Sequence, residues 1–410
     1  MENTVKDQHF FEGLCPKALV EKYGSPLYVY NERVFRTRCR EMAQLVTYPH
    51  FKVNYSVKAN SNLSLLKIAR EEGLCADAMS PGEIYAERLA GFAPEDIFYI
   101  SNNVSAEELT YAVEQNIIVS IDSLSQLERF GQLFPGHKVC VRVNSGIGAG
   151  HSDKVITGGK KTKFAIYPAL FPQMEEILQK YDLHLVGLNQ HIGSFFLEEE
   201  VYLEGVRSLL AIAHQFPGLS FIDLGGGFGM PYEPGQSRLD LAALGAKLDA
   251  LLYDFARSYG REILFKIEPG RYLAAECGVL LGTVHAVKEN YGHLYCGTDI
   301  GFNVLARPML YDAYHEIEIL SDAPSLDRAP YTVVGNICET GDILAKDRLL
   351  PAMRENDLVC IHDAGAYGYS MASNYNNRLR PAEVLITQSG EAKLIRRRDT
   401  FEDLIRAFEI

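Results

Sequence analysis

Between residues 50 and 270 the chain alternates short β-branched apolar runs with segments whose apolar positions recur at helical spacing. The runs are Lys52–Val57, Leu74–Ala78, Ile97–Ile100, Ile117–Ile121, Lys138–Val143, His184–Leu188, Leu219–Leu224 and Ile263–Ile267. Ser80-Pro81-Gly82-Glu83 and Ser105-Ala106-Glu107-Glu108 read as helix N-caps followed by acidic first turns. Strands that alternate with helices pair in parallel. Eight such units match a closed (β/α)8 TIM-type barrel rather than an open, doubly wound α/β sheet.

After Gly270 the pattern changes. Val279–Val287, His315–Leu320, Thr332–Ile337, Leu358–Ile361 and Val384–Thr387 read as strands separated by turns, with few helical stretches. This predicts an all-β C-terminal domain, β-sandwich or Greek-key-like. The first fifty residues hold one strand candidate, Pro26–Tyr30, followed by a helical pattern over Asn31–Val46. That strand is free to join the C-terminal sheet. The expected division is 1–34 as an N-terminal strand segment joining the β domain, 35–275 as the barrel and 276–410 as the C-terminal β domain.

The chain has 410 residues, of which 47% are apolar and 23% charged, an ordinary globular composition that excludes a disordered chain. The longest apolar stretch, Leu273–Val287, carries Glu276 and His285, so no membrane span is expected. Met1–Phe10 is polar and acidic, without a basic head or an apolar signal core, and a cytoplasmic protein is expected. Forty basic against fifty-three acidic residues give a net charge of −13, which disfavours nucleic acid and anionic membrane as partners. Anionic small molecules need only a local cluster of arginine and lysine. The eight cysteines lie singly, without a C-x-x-C pair. Seven are expected as buried small hydrophobes in a reducing compartment, Cys338 being set apart below. No metal site is expected.

Barrel enzymes work at the C-terminal ends of their strands, and those ends are legible here. The first barrel strand ends at Tyr55–Asn60, including Lys58, and the second near Asp77. Arg142 and Asn144 end the fifth, and His191-Ile192-Gly193-Ser194 ends the sixth. Asp223 and Gly225–Gly229 end the seventh, and Glu268-Pro269-Gly270-Arg271 the eighth. Taken singly, a strand-end lysine is usually a solvated charge and a triple glycine a tight turn. His191 could be a satisfied core histidine, and Glu268 could pair with Arg271. Their arrival at successive strand ends of one barrel suits pyridoxal phosphate. That cofactor needs a lysine for its aldehyde, an N–H nest for its phosphate and an acid for its pyridine nitrogen. Lys58, the Gly225–Gly229 loop with Ser194, and Glu268 could fill those roles, with His191 flat on the ring.

These residues resemble the fold-type III pyridoxal-phosphate enzymes, the alanine racemase and ornithine decarboxylase class, and within it the diaminopimelate decarboxylase family. The resemblance rests on YSVKAN at 55–60, HIGS at 191–194, GGGFG at 225–229, EPGR at 268–271, RPMLYDAYH at 307–315, CETGD at 338–342 and DAGAYGYSMASNYN at 363–376. It implies decarboxylation of meso-2,6-diaminopimelate to L-lysine, with Lys58 holding pyridoxal 5'-phosphate. Asp77 and Arg142 would support the site and His191 would stack on the ring. Ser194, Gly226, Gly227 and Glu268-Pro269-Gly270-Arg271 would hold the cofactor. Arg271, Arg307 and Tyr311 would bind substrate, and Tyr367 would touch both cofactor phosphate and substrate. The resemblance also implies a homodimer in which Cys338, as proton donor, and Glu339, on the substrate, come from the second subunit.

Plainer readings exist for these later residues. Arg307 and Tyr311, four apart, could simply pair on a helix surface, and Glu339 could be a solvated turn residue. Gln190, Ala165, Thr340 and Asp299–Val304 depart from the family's usual residues. A decarboxylase of D-lysine, D-ornithine or carboxynorspermidine on the same scaffold is the alternative enzyme.

Overall fold

The computed structural model describes residues 10–147, 149–150, 158–159 and 162–409, so the polar stretch 1–9 lies outside the described residues. Two compact units are present: Thr37–Pro231 with Gln236–Leu273, and the chain up to Arg36 with Tyr232–Gly235 and Ala274–Ile410.

The first unit is a closed parallel barrel. Its strands run in the order Phe51–Ser56, Cys75–Ala78, Ile97–Ile100, Ile118–Ile121, Lys138–Arg142, His184–Asn189, Phe221–Asp223 and Leu264–Ile267, which returns to Phe51–Ser56. Each of the eight apolar runs forms one of these strands. Strands such as Ile97–Ile100 are continuous in apolar residues because barrel strands are covered on both faces. Phe98, Ile100, Cys140 and Phe221 cluster in its core. Here Gly187 is required by packing, since a Cβ would lie 2.3 Å from the Phe221 ring. The Lys266 ammonium rests 5.0 Å from the Phe98 ring centre and 4.8 Å from that of Phe221, so a nearly buried cation is held against aromatic faces.

The helix starts follow their sequence signals. Ser80 accepts from the Glu83 N–H at 3.3 Å with Pro81 in the first turn of the helix Pro81–Ala90, and left-handed Gly91 ends it. Ser105 and Glu108 form a reciprocal capping box ahead of Ala106–Glu114.

The helix Pro81–Ala90 also carries Glu87 into the interior, where neither carboxyl oxygen has a hydrogen-bond partner among the described residues. Burial, then the nearby Asp77 and Glu83 charges, push its carboxyl up to about 9 from an ordinary 4.5. Below pH 4.5 both folded and unfolded chains carry the proton. Above it the unfolded chain loses the proton and the native one keeps it, so stability falls by about 1.4 kcal/mol per pH unit until the folded value is reached. At pH 7 the loss amounts to about 3 kcal/mol. Glu87→Gln, isosteric with the protonated acid, should therefore match the parent near pH 5 and exceed it increasingly as pH rises. Urea unfolding of both proteins at pH 5 and pH 7.5 checks this, and a gap that does not widen with pH would show Glu87 to be ionised in the native protein.

The second unit is built on one mixed sheet. Its main path runs Ile343–Pro351, Arg328–Val334, His293–Thr298, Gly278–Asn290, Leu27–Asn31, Ala382–Ile386 and Ala392–Arg396. Leu358–Ile361 pairs with Gly278–Asn290, and Ile317–Leu320 pairs with Leu358–Ile361. The N-terminal strand does enter this sheet, antiparallel to Gly278–Asn290 and parallel to Ala382–Ile386. Its two neighbours bury it completely, with Leu27, Val29, Val279, Leu281, Val384 and Ile386 in one cluster. Three strands escape the sequence pattern: His293–Thr298, Ile343–Pro351 and Ala392–Arg396. Ile343–Pro351 is interrupted by Lys346, Asp347 and Arg348, with Asp347 at φ +45°, so its apolar period is broken where the strand is irregular.

One cysteine expectation is corrected. Cys15 is exposed, not buried, because it sits at the N-cap of the helix Pro16–Tyr23, ahead of the turns that pack; among the rest of the expected seven, burial holds. Among the described residues no helix is long and apolar enough to cross a membrane.

Candidate functional site

Strand register brings the polar ends of the barrel side by side. Ser56 is paired with Asp77, Arg142 with Asn189, and Asn189 with Asp223. Lys58 follows at once, in the 3-10 turn Val57–Ala59 that closes the first barrel strand. Its ammonium acts on Asp77, Glu83, His191 and Glu268, so one cation lies within electrostatic reach of four ionisable groups.

Asp77 is fully buried and accepts from Ser56 Oγ at 2.8 Å. Burial pushes its carboxyl up to about 7 against the lowering pull of Lys58 and Ser56. Glu83 accepts from the Met79 N–H at 2.6 Å, and burial raises its carboxyl too. Arg142 donates from Nη2 to the His191 carbonyl at 3.3 Å and lies 4.6 Å from the Phe164 ring centre. Glu268, Asp122 and Asp223 oppose the desolvation of its charge.

His191 remains partly exposed, yet its imidazole is held well below the ordinary range, by desolvation first and then by the Lys58 and Arg142 charges. Its Nδ1 accepts from the Gly226 N–H at 3.3 Å, so that nitrogen carries no proton. A neutral, oriented imidazole at the mouth of the barrel is the outcome.

The glycine loop is shaped by close approach. At Gly226 a Cβ would lie 1.9 Å from the Glu268 carbonyl oxygen, and Gly227, at φ +106°, would drive one into the Phe196 ring at 2.3 Å. No other residue fits either position without moving backbone or ring. The loop is tied down by Phe195 and Phe196 N–H groups donating to the Gly227 carbonyl at 2.9 and 2.8 Å. Nearby, Arg271 Nη2 donates to Ser194 Oγ at 3.2 Å.

Glu268 is 4% exposed, on the turn after Leu264–Ile267, and its N–H donates to the Gly225 carbonyl at 3.1 Å. Its carboxyl is pushed well above the usual range by burial and by the Asp223 and Asp77 charges. Asp223, itself buried, accepts from the Gly225 N–H at 2.9 Å. The two carboxyls act on each other, and with both removed from water the neighbouring Asp223 adds to the rise at Glu268. Ser56 donates its N–H to the Pro269 carbonyl at 3.1 Å, and Gly270 lets the turn pass close to Ser56 and Ala59.

Lys58, Asp77, Arg142, His191, Ser194, Gly226, Gly227, Glu268, Pro269, Gly270 and Arg271 all belong to the barrel unit. Their arrangement suits pyridoxal phosphate on this structure's own terms. The loop is a cradle that any Cβ would fill, a carboxyl group is buried at the end of the eighth strand, a primary amine stands at the end of the first, and Asp77 Oδ1, Arg142 Nε and Asn189 Nδ2 are buried without a hydrogen-bond partner among the described residues. Ser56, Glu83, Glu87, Asn189 and Asp223 went unassigned in the sequence. Ser56 within YSVKAN and Asp223 just ahead of the glycines stood at strand ends there without a role.

The remaining candidates lie in the other unit. Arg307 is 3% exposed at the start of the helix Arg307–Tyr311, so it is no surface partner of Tyr311, which is partly buried. Cys338 and Glu339 are exposed on one turn: the Cys338 N–H donates to Asn376 Oδ1 at 3.0 Å, and Glu339 accepts from the Tyr375 hydroxyl at 2.7 Å. Glu339 is thus held in place rather than simply solvated. Tyr367 adopts φ +56°, a conformation uncommon for a bulky residue. The departure at Ala165 has a structural counterpart in its φ of +74°, where glycine would avoid a cost of about 1 kcal/mol.

A family model for the pyridoxal-binding domain of pyridoxal-dependent decarboxylases matches residues 32–275. The diaminopimelate decarboxylase of Methanothermobacter thermautotrophicus is 40% identical over 397 residues, covering 95% of this chain and 92% of that one. The Escherichia coli diaminopimelate decarboxylase is 36% identical over 405 residues, covering 94% of each. Among solved structures, the diaminopimelate decarboxylase from Helicobacter pylori complexed with L-lysine superposes with a TM-score of 0.87 at 30% identity, covering 95% of this chain and 98% of that one.

Proposed function

This chain belongs to the diaminopimelate decarboxylases, a family of pyridoxal-dependent decarboxylases, and from that membership we propose that it converts meso-2,6-diaminopimelate to L-lysine and carbon dioxide. The observation that carries the reading is the convergence of Lys58, His191, Glu268 and the Gly226–Gly227 cradle at one barrel mouth. When bound, pyridoxal phosphate supplies an electron sink for the electrons left behind as carbon dioxide departs.

The chain's residues do the rest. Lys58 would hold the aldehyde, and the open Gly226–Gly227 cradle with the Ser194 hydroxyl would receive the phosphate. Glu268 would face the pyridine nitrogen and favour its protonated form, with Asp223 beside it. Neutral His191 would pack on the ring face without adding a charge that opposes its protonated form. Asp77 and Arg142 brace the site, and Tyr367 contacts both phosphate and substrate. Arg271, Arg307 and Tyr311 bind the substrate. Arg307 takes its remote carboxylate, for which a planar guanidinium offers two parallel hydrogen bonds.

The enzyme acts as a homodimer with a shared site. Cys338 of the second subunit returns a proton to the carbon that lost carbon dioxide, and Glu339 of that subunit contacts the substrate. The exposed turn that carries both supports this arrangement. The cytoplasm is its place of work.

Purified full-length protein supplied with pyridoxal phosphate should release carbon dioxide and L-lysine from meso-diaminopimelate. Its kcat/KM should exceed that for D-lysine, D-ornithine and carboxynorspermidine. A higher value for any of these three would replace diaminopimelate as the substrate while leaving the decarboxylase intact.

A further inference from the structure

Arg307 does not act alone in its unit. Its Nη1 lies 2.8 Å from His315 Nε2, and its guanidinium carbon sits 4.5 Å from the Tyr232 ring centre. A guanidinium only donates, so His315 Nε2 accepts and carries no proton. On the other side of the same ring, Nδ1 lies 2.8 Å from the His362 carbonyl oxygen, which only accepts. Nδ1 therefore carries the proton. Together the two partners select one form of the ring, the neutral Nδ1–H tautomer.

The support behind this ring is firm. His315 is 2% exposed, and Tyr232 meets it edge to face at 5.4 Å, so one tyrosine packs against both members of the pair. The His315 carbonyl accepts from Arg348 Nη1 at 3.0 Å, and the His362 N–H donates to the Glu316 carbonyl at 3.0 Å. Both histidines thus sit at the ends of the paired strands Ile317–Leu320 and Leu358–Ile361, where backbone position is set by the sheet.

We propose that His315 is a positioning residue for substrate selection, fixing the plane of the Arg307 fork before a carboxylate arrives; this rests on the reading that Arg307 binds the remote carboxylate. The choice of a neutral acceptor has a physical reason. A carboxylate in the same place would orient the guanidinium equally well but would cancel its charge and compete with the substrate. A neutral imidazole orients without neutralising. Two-point recognition by a planar fork is sensitive to misalignment of some 10–20°, so a swivelling Arg307 would keep its charge yet lose most of its advantage for a dicarboxylate.

Two amide variants of the holoenzyme separate the two ring nitrogens. His315→Asn keeps a donor near Nδ1 for the His362 carbonyl and removes the acceptor for Arg307. His315→Gln places an amide oxygen near Nε2 and restores it. The expected result for Asn is a KM for meso-diaminopimelate raised about tenfold or more, since the lost bond is to a charged group. Its kcat should change less than about threefold, and its KM for D-lysine, which lacks the remote carboxylate, should stay near the parent's. Gln should recover most of the loss. Should the Asn protein fail to fold, His315→Phe reads the same KM. Equal losses on both substrates, a loss confined to kcat, or no recovery with Gln would overturn the proposal.

Arg307→Met, assayed alongside, should cost meso-diaminopimelate about 30-fold or more in kcat/KM and D-lysine far less. If Arg307→Met leaves the ratio of the two substrates unchanged, the role of Arg307 itself is wrong. If it shifts that ratio while the Asn variant does not, only the role of His315 fails.

Discussion

Lys58→Ala is expected to give folded, dimeric protein without measurable decarboxylation and without the visible absorbance of lysine-bound cofactor. Lys58 closes the first barrel strand in the turn Val57–Ala59, and its ammonium is the cation common to Asp77, Glu83, His191 and Glu268. A methyl group cannot hold an aldehyde, and no second amine is assigned to the task. The fold should survive, because Lys58 is partly exposed while Val57 and Ala59 on either side of it are buried and unchanged. Lys58→Arg separates chemistry from charge: it keeps a cation beside the acids but offers no nucleophilic amine at neutral pH, and it should be as inactive as the Ala variant. Absorption spectra of both variants with added pyridoxal phosphate, together with carbon dioxide release, check the assignment. Persistence of the lysine-bound band in either would move the role to another lysine.

Complementation between two dead proteins is the second large effect expected. Lys58→Ala and Cys338→Ala should each be nearly inactive. If Cys338 serves the partner's site, mixing equal amounts under conditions of subunit exchange gives half heterodimers, each with one site that has both residues. Activity should then rise from near zero to about a quarter of the parent's. Cys338 suits such a role because its turn is exposed yet anchored by Asn376, and the neighbouring Glu339 is fixed by Tyr375. No recovery after verified exchange would place Cys338 and Lys58 of the same subunit in one site.

The barrel was open to reading from the chain because each of its strands leaves a local trace. A strand covered on both faces, such as Ile97–Ile100, is an apolar run that stands out against amphipathic helices, and caps such as Ser80 and Ser105 mark where those helices begin. The cofactor residues follow from the same trace, since barrel chemistry gathers at strand ends. Strands of the second unit that mix charges into their run, Ile343–Pro351 above all, leave no such mark.

By itself, then, the sequence determined the eight-unit barrel, the strand ends that carry Lys58, His191 and Glu268, and the family motifs. Tertiary structure alone decided the protonation and orientation of what meets there. Glu87 is an ordinary surface glutamate by its position in a helical pattern, and only its burial beside Asp77 and Glu83 makes it neutral. Asp223 helps to push the Glu268 carboxyl up because adjacent barrel strands end together. His315 holds Arg307 in one tautomer because strand pairing brings the His362 carbonyl to its other nitrogen. Periodicity is a property of neighbours along the chain, whereas desolvation and hydrogen-bond direction depend on neighbours in space, and those are set only when distant strands close on one another.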